Sequence, residues 1–151
     1  MLRVRTYIAP DSYGGRGVFA ADRIPAGKIV WKMHPSYTKF IPAEKCLRLT
    51  PAQREWIETY AYPFVDEDTS PVTMGVFYNL DNSRYMNHDE RPNTTYPPGN
   101  GDVNIAARDI EKGEEITCDY HDFDPDHILY GMGIRTCTAF LINAGRAKAV
   151  S

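Results

Sequence analysis

The chain has 151 residues, 42% of them apolar and 12% aromatic, which is enough to bury the core of one domain. Its formal net charge of −3, with both signs intermixed, excludes the basic surface that binds nucleic acid and makes a cationic peptide a more natural partner. No signal-peptide core and no apolar run of about eighteen residues occur, so we expect no membrane span and a cytoplasmic location, with the nucleus also compatible.

Three short strands are predicted near the N-terminus. The segment "LRVRTYIA" alternates apolar and basic residues with period two, "GRGVFAA" follows a glycine-rich turn, and "GKIVWKM" is bounded by proline and glycine residues. We expect these three strands to form one small antiparallel sheet.

A helix is predicted in the next part of the chain. Thr50, Pro51 and Gln53 match a capping box with proline at the first helical position, which opens a helix over "PAQREWIETYAY". Strand patterns then return in "VTMGVFYNL", "DVNIAARDI" and "ITCDY". The sequence therefore predicts a mainly β fold with a few helices, followed by an acidic stretch from His121 and a frayed tail.

The segment "YGGRGVFA" is rich in glycine. Gly14, Gly15 and Gly17 would allow positive φ angles and would expose backbone N–H groups to a ligand, although an isolated GxG is more often a hairpin turn. A dinucleotide fingerprint is excluded, because Ala20 stands where the third glycine is needed and a strand pattern follows.

The segment "RYMNHDERPN", residues 84–93, is too polar for an ordinary core. It fits a turn stabilised by its own side chains, since Asn and Asp bond locally and Pro92 opposes a helix. It could also be half of a metal site, completed by His121, Asp122 and His127, but the spacing matches no known ligand pattern. On its own, the segment favours the turn.

A third segment, "ARDIEKGEEITCDY", ends in Tyr120, which alone would be an amphipathic core residue. In order and separation, "GRGVFAADRIPAGKIV", "RYMNHDERPNT" and "IAARDIEKGEEITCDY" resemble the three signature blocks of the SET-domain protein lysine methyltransferases. The resemblance covers about Leu2 to Tyr120, and its second and third blocks are the most specific.

The resemblance implies a cofactor, S-adenosylmethionine, and the residues that hold it. Asn87 and His88 would bind its amino group and its adenine, and Arg84 and Tyr85 would line the same cleft. The glycine turn would lie against the amino-acid end of the cofactor, and its residues are Gly14, Gly15, Arg16 and Gly17.

The resemblance also implies a fold and an active-site residue. Tyr120 matches the active-site tyrosine of the family, and the implied SET-domain fold has several small curved β-sheets around a C-terminal pseudoknot. Residues 1–120 would form the SET domain, with about 34–74 as a variable helical insertion. Residues 121–151 would complete the site as a C-terminal segment.

The cysteines depart from the family pattern. Many members carry a zinc-binding, cysteine-rich segment after the active-site tyrosine, but only Cys137 follows it here, so we expect no metal. With Cys46 and Cys118 also far apart in sequence, all three thiols are expected to be free. Aromatic side chains in the lysine pocket limit how many methyl groups fit. Because Cys118 stands at a position that is aromatic in some members, and Tyr96 lies just beyond the second block, the number of transferred methyl groups is left open.

Without a zinc segment, the lysine channel must be closed by other residues. The available aromatics after the tyrosine are Phe123, Tyr130 and Phe140. Tyr130 is our candidate to cover the adenine, although each of these aromatics is more often plain core.

The implied activity is transfer of a methyl group from S-adenosylmethionine to a lysine amine in a protein, with no nucleic acid and no membrane as partner. Tyr120 would exclude water and orient the amine, with an electrostatic role rather than that of a general base. The alternative is a catalytically silent SET-like module that binds the cofactor or a lysine-rich peptide. A metal-dependent hydrolase built on His and Asp residues is a more distant rival.

Overall fold

The computed structural model describes residues 1–46, 48–64 and 75–122, which fall into two compact units. The first unit contains Met1–Thr38 and Asn79–Asp122, and the described part of the second lies between Lys39 and Tyr78. The C-terminal segment predicted over 121–151 lies outside the described residues beyond Asp122, as does part of the insertion predicted over 34–74. These domain boundaries stay predictions.

The described residues form ten strands, two α-helices and two short 3-10 helices, so the predicted mainly β fold is confirmed. The strands are β1 (Thr6–Pro10), β2 (Arg16–Ala20), β3 (Ile29–Lys32), β4 (Thr38–Pro42), β5 (Ala61–Phe64), β6 (Gly75–Asn79), β7 (Asn87–His88), β8 (Thr94–Thr95), β9 (Val103–Ala106) and β10 (Thr117–Cys118). The helices are α1 (Ala43–Cys46) and α2 (Pro51–Tyr60), and the 3-10 turns are Asn82–Tyr85 and Tyr120–Asp122. Neither α-helix is long and apolar enough to cross a membrane.

In the first unit, β1 and β2 form an antiparallel hairpin, with Thr6 opposite Ala20 and Pro10 opposite Arg16. Strand β2 buries Val18 and Ala20, in keeping with the period-two pattern of its sequence. The other buried apolar side chains of this unit come from several short elements. They are Ile24, Val30, Trp31, Met86, Ala106, Ile110, Ile116 and Cys118.

The prediction of one N-terminal sheet from the first three strands is correct only in part, because Leu2 forms an isolated antiparallel bridge with Trp31 of β3 but the strands themselves lie in two sheets. Strand β3 pairs with β9 in a three-stranded sheet of order β3-β9-β8, while β1 and β2 form a sheet of their own. The pairing of β3 continues into its preceding turn, where the Gly27 N–H donates to Ala106 O at 2.8 Å and the Ala106 N–H donates to Lys28 O at 2.9 Å. Local alternation identifies a strand, but it does not identify a partner that is distant in sequence.

In the second unit, helix α2 begins as predicted. The Gln53 N–H donates to Thr50 Oγ1, and the Thr50 N–H donates to Gln53 Oε1, so the capping box is complete. The helix ends at Tyr60 rather than at Tyr62, because a residue before proline disfavours the helical conformation and Ala61 instead pairs with β6. Strands β4, β6 and β5 lie side by side in that order in one sheet. The core of this unit is a cluster of three buried side chains, Cys46, Ile57 and Val76.

A buried asparagine joins two distant segments of the first unit. Strands β7 and β10 pair in parallel, with Asn87 opposite Thr117. Asn93 follows β7 and is 3% exposed; its amide nitrogen donates to Glu115 O at 2.7 Å, and its amide oxygen accepts the Thr117 N–H at 2.9 Å. Thr94 adds a hydrogen bond from its hydroxyl to Thr117 O at 2.7 Å. These bonds hold the segment after β7 against the segment that leads to Tyr120.

Replacing Asn93 by alanine should therefore weaken the fold. The change leaves the buried Thr117 N–H and Glu115 carbonyl without their partner, so we expect the free energy of unfolding to fall by about 3 kcal/mol. Urea unfolding followed by circular dichroism measures this. Asn100→Ala, at an exposed turn, is the matched control and should change the value by less than about 0.5 kcal/mol. Equal losses in the two variants would contradict the role of Asn93.

Candidate functional site

The turn between β1 and β2 holds the glycines that were predicted to bind a cofactor. Gly14 has a φ of +86°, but Gly15 and Gly17 do not have a positive φ. The Gly15 N–H donates to Asp11 Oδ1 at 2.7 Å, so the prediction that this N–H is exposed to a ligand is wrong. Gly17 lies in β2, where a Cβ atom would overlap the Glu115 carboxylate and force that side chain to move.

Asn87 connects this turn to the polar segment. Its amide nitrogen donates to Asp11 Oδ2 at 3.0 Å, to Glu115 Oε1 at 2.8 Å and to the backbone oxygen of Arg16 at 3.2 Å. The structure thus brings together Asn87 and the glycine turn, which are far apart in sequence. Asp11 and Glu115 had no predicted role at the site.

Two guanidinium groups flank the ring of Tyr85. The Cζ atoms of Arg84 and Arg16 lie 4.8 and 5.9 Å from its centroid, and Arg84 Nη2 donates to the Tyr85 hydroxyl at 3.3 Å. The hydrogen bond from Arg84 lowers the pKa of Tyr85, and the charges of both arginines act in the same direction. This side of the site is therefore positively charged, which suits a carboxylate ligand.

Tyr120 follows β10 and is fixed at both its backbone and its hydroxyl. Its hydroxyl donates to the backbone oxygen of Met86 at 2.8 Å, and its N–H donates to His88 Nδ1 at 3.1 Å. The rings of His88 and Tyr120 lie 5.4 Å apart. The parallel pairing of β7 with β10 therefore places Tyr120 beside the segment that carries Asn87 and His88. The side chain of His88 therefore has a specific hydrogen-bonding role, which the sequence did not predict.

Among the described residues, His88, Asp119 and His121 could hold a metal ion, because their ligand atoms lie within 4.8 Å of one another. Asp119 Oδ1 lies 2.6 Å from His121 Nδ1 and 3.5 Å from His88 Nδ1. Partial burial would raise the pKa of Asp119, but hydrogen bonds from the His121 backbone and side chain lower it. The metal site considered from the sequence paired the histidines with Asp122 rather than with Asp119. The expectation that no metal binds stays a prediction.

Cys118 lies two residues before Tyr120 and is 5% exposed. Burial raises the pKa of its thiol to about 12, so the thiol is protonated at neutral pH and is not a nucleophile. Among the described residues, neither Cys46 nor Cys118 is part of a disulfide, in agreement with the prediction for these two. The predicted cover residue Tyr130 lies outside the described residues, together with Phe123, Phe140 and Cys137.

A salt bridge supports the turn that leads into β10. Glu114 Oε1 lies 2.5 Å from Arg108 Nη2 and accepts a hydrogen bond from the Asn93 amide at 3.1 Å, while Glu114 Oε2 accepts the Glu111 N–H at 2.9 Å. The hydrogen bond from Arg108 is the main cause that lowers the pKa of Glu114 from 4.5 to about 2.

Comparison with known proteins identifies the pattern of these segments. A family model described as "SET domain" matches residues 15–121, which contain most of the glycine turn, Asn87, His88 and Tyr120. No curated protein matched the sequence.

Solved structures with a similar fold are known. The chain is 21% identical to a structure described as ctPRC2 in an autoinhibited conformation bound to S-adenosylmethionine, with a TM-score of 0.59 over 95% of this chain and 17% of that one. A mutant Chaetomium thermophilum Polycomb Repressive Complex 2 with the inhibitor GSK126 has 22% identity and a TM-score of 0.55 over 80% of this chain and 15% of that one. The chain thus spans less than a fifth of these two chains, and the likeness shows the fold alone.

Glu114 should make stability depend on pH in the acid range. Its folded pKa of about 2 lies below the ordinary value of 4.5, so its contribution is present above pH 4.5 and is lost as the pH falls towards 2. Because the salt bridge is partly exposed, we expect Glu114→Gln to lower the free energy of unfolding at pH 7 by only about 2 kcal/mol.

Urea unfolding at a series of pH values tests this. The difference between Glu114→Gln and the wild type should shrink as the pH falls from 4.5 to 2. Glu111→Gln, at an exposed side chain, is the control and should cost less than about 0.5 kcal/mol. A difference that does not change with pH would contradict the lowered pKa of Glu114.

Proposed function

Since this chain belongs to the SET-domain family, we propose that it transfers a methyl group from S-adenosylmethionine to the side-chain amine of a lysine in a protein. The observation that carries the proposal is the position of Tyr120, whose hydroxyl is held by Met86 O beside the segment of Asn87 and His88. A similar structure that is described as bound to S-adenosylmethionine supports the choice of cofactor.

The charges of the site fit the amino-acid end of this cofactor, which carries a carboxylate and an ammonium group. Arg16 and Arg84 are cations on one side and would hold the carboxylate. The amide oxygen of Asn87 is an acceptor and would hold the ammonium. His88 is the residue that would bind near the adenine, as the family resemblance implies. The donor set therefore matches the group.

S-adenosylmethionine supplies an electrophilic methyl group on a sulfonium. Held by Arg16, Arg84 and Asn87, the cofactor would supply this methyl group to the lysine nitrogen and would itself be left as a neutral thioether. The amine must first lose its proton, which at pH 7 costs about 4.6 kcal/mol for a free lysine with a pKa of about 10.4. A site that excludes water lowers this cost by destabilising the charged amine.

Tyr120 contributes orientation in this mechanism. Its hydroxyl hydrogen is directed to Met86 O, and a phenol oxygen that donates its hydrogen still has lone pairs with which it can orient an amine. Its ring can pack on the aliphatic part of the lysine side chain and exclude water. We therefore assign it positioning and electrostatic stabilisation, and no role as a general base.

The main experiment is incubation with labelled S-adenosylmethionine and a panel of lysine-rich proteins, followed by detection of label in protein. Transfer of label to lysine is the expected result. Cofactor binding without transfer would favour a silent SET-like module instead. Absence of cofactor binding, together with an activity abolished by a chelator, would favour the metal-dependent alternative at His88, Asp119 and His121.

Tyr120→Phe tests the catalytic residue. The variant keeps the ring but loses the hydroxyl and its bond to Met86 O, so we expect methyl transfer to fall by at least about 100-fold while cofactor affinity changes by less than about threefold. Transfer rates and calorimetry measure the two quantities. Tyr7→Phe, which keeps the ring stacked on Phe19, is the control and should retain activity. Full activity in Tyr120→Phe would refute the assignment.

Asn87→Ala tests the cofactor contact. It removes the acceptor for the ammonium and leaves Asp11 and Glu115 without their shared donor, so cofactor affinity should fall by about 10- to 100-fold. Calorimetric titration measures the affinity, and circular dichroism checks that the variant is folded. An unchanged affinity would place the ammonium elsewhere.

A further inference from the structure

We infer that Asp11 is a positioning residue for cofactor binding. Its carboxylate holds the amide nitrogen of Asn87, so that the amide oxygen of Asn87 is left to accept from the cofactor's ammonium. This inference rests on the proposed function. Asp11 lies before the glycine turn and outside the three sequence blocks that resemble the SET family. Its role comes from the contacts of its two carboxylate oxygens.

The orientation of the Asn87 amide follows from its neighbours. Three acceptors surround one end of it: Asp11 Oδ2, Glu115 Oε1 and the Arg16 backbone oxygen, at 3.0, 2.8 and 3.2 Å. An ionised carboxylate can only accept hydrogen bonds, so the NH2 group must face these atoms and the amide oxygen must face away from them. An ammonium can only donate, so it requires that oxygen.

Asp11 is itself fixed by the backbone. Its Oδ1 accepts the Tyr13 N–H at 2.8 Å and the Gly15 N–H at 2.7 Å, so Oδ2 is the atom left to face Asn87. The Gly15 N–H is the main cause that lowers the pKa of Asp11, which keeps the carboxyl ionised at neutral pH. The side chain therefore cannot exchange its two ends without breaking the turn.

Glu115 contacts the same amide but is held differently. Its Oε1 accepts from Asn87, and its carboxylate lies close to Gly17, where a Cβ atom would displace it. Unlike the Asp11 carboxylate, it is not fixed by backbone N–H groups of a turn within the described residues. An amide in its place could rotate to present oxygen to Asn87.

Asp11→Asn and Glu115→Gln each remove one negative charge beside Asn87. Comparing them separates the effect of that charge from the effect of the acceptor that Asp11 presents to the Asn87 amide. In Asp11→Asn, the oxygen stays with the Tyr13 and Gly15 N–H groups, and the new NH2 faces the NH2 of Asn87. These two donors repel each other, while Glu115 Oε1 and the Arg16 backbone oxygen still require the NH2 group of Asn87. The Asn87 amide therefore keeps its orientation but is pushed out of the position in which its oxygen accepts from the ammonium. In Glu115→Gln, the terminal amide keeps an acceptor towards Asn87.

Calorimetric titration measures the affinity for two probes. S-adenosylhomocysteine carries the amino-acid end of the cofactor, and 5′-methylthioadenosine lacks it. We expect Asp11→Asn to bind S-adenosylhomocysteine about tenfold more weakly than the wild type, and Glu115→Gln to stay within about threefold. Both variants should bind 5′-methylthioadenosine as the wild type does. Added to Asn87→Ala, Asp11→Asn should cause no further loss, because it acts through Asn87. Asp22→Asn, at an exposed salt bridge with Arg5, is the control for a lost charge.

Three results would overturn the inference. Equal losses in Asp11→Asn and Glu115→Gln would show that the negative charge matters, and not the acceptor that Asp11 presents to Asn87. A loss that extends to 5′-methylthioadenosine would show that Asp11 only supports the turn. If the wild type bound neither probe, the proposed function itself would be refuted. The results for the variants alone would refute only the role of Asp11.

Discussion

The buried amide of Asn93 is the interaction on which the rest of the site depends. Strands β7 and β10 have two residues each, too few for their ladder alone to fix their position. The Asn93 amide donates to Glu115 O and accepts from the Thr117 N–H. It therefore adds two hydrogen bonds between the segment after β7 and the segment of β10. Tyr120 lies two residues beyond the end of this pairing. Its distance from Asn87 is therefore set by an amide that belongs to neither strand.

The two asparagines of this segment show how one residue type serves structure and binding. Asn93 is satisfied at both ends by the backbone, so its amide is fully used within the fold. Asn87 faces acceptors at its nitrogen end, two of them carboxylates, and this arrangement directs its oxygen to the other side. An amide that binds a ligand needs one end fixed by hydrogen bonds within the protein and the other end free to bond to the ligand. The acidic neighbours supply the held end without competing for the ammonium's acceptor.

Local features of the fold were predictable from the sequence. The capping box of α2 and the alternation of β1 and β2 depend on neighbouring residues, and both are confirmed. The pairing of β3 with β9 was not predictable, because alternation carries no information about a distant partner. The roles of Asp11 and Glu115 were also missed. An aspartate shortly before two glycines indicates a turn, but only folding brings it to Asn87.

The partner of the Tyr120 hydroxyl constrains what this tyrosine can do. A carboxylate at that position would attract the phenol proton strongly and would place a negative charge beside a reacting amine. Met86 offers a neutral backbone oxygen instead, which fixes the direction of the O–H bond without taking the proton. The lone pairs of the phenol oxygen then point away from Met86 O. An amine that has already lost its proton can donate a hydrogen bond to these lone pairs. The geometry therefore favours a mechanism in which the lysine arrives neutral over one in which Tyr120 removes its proton.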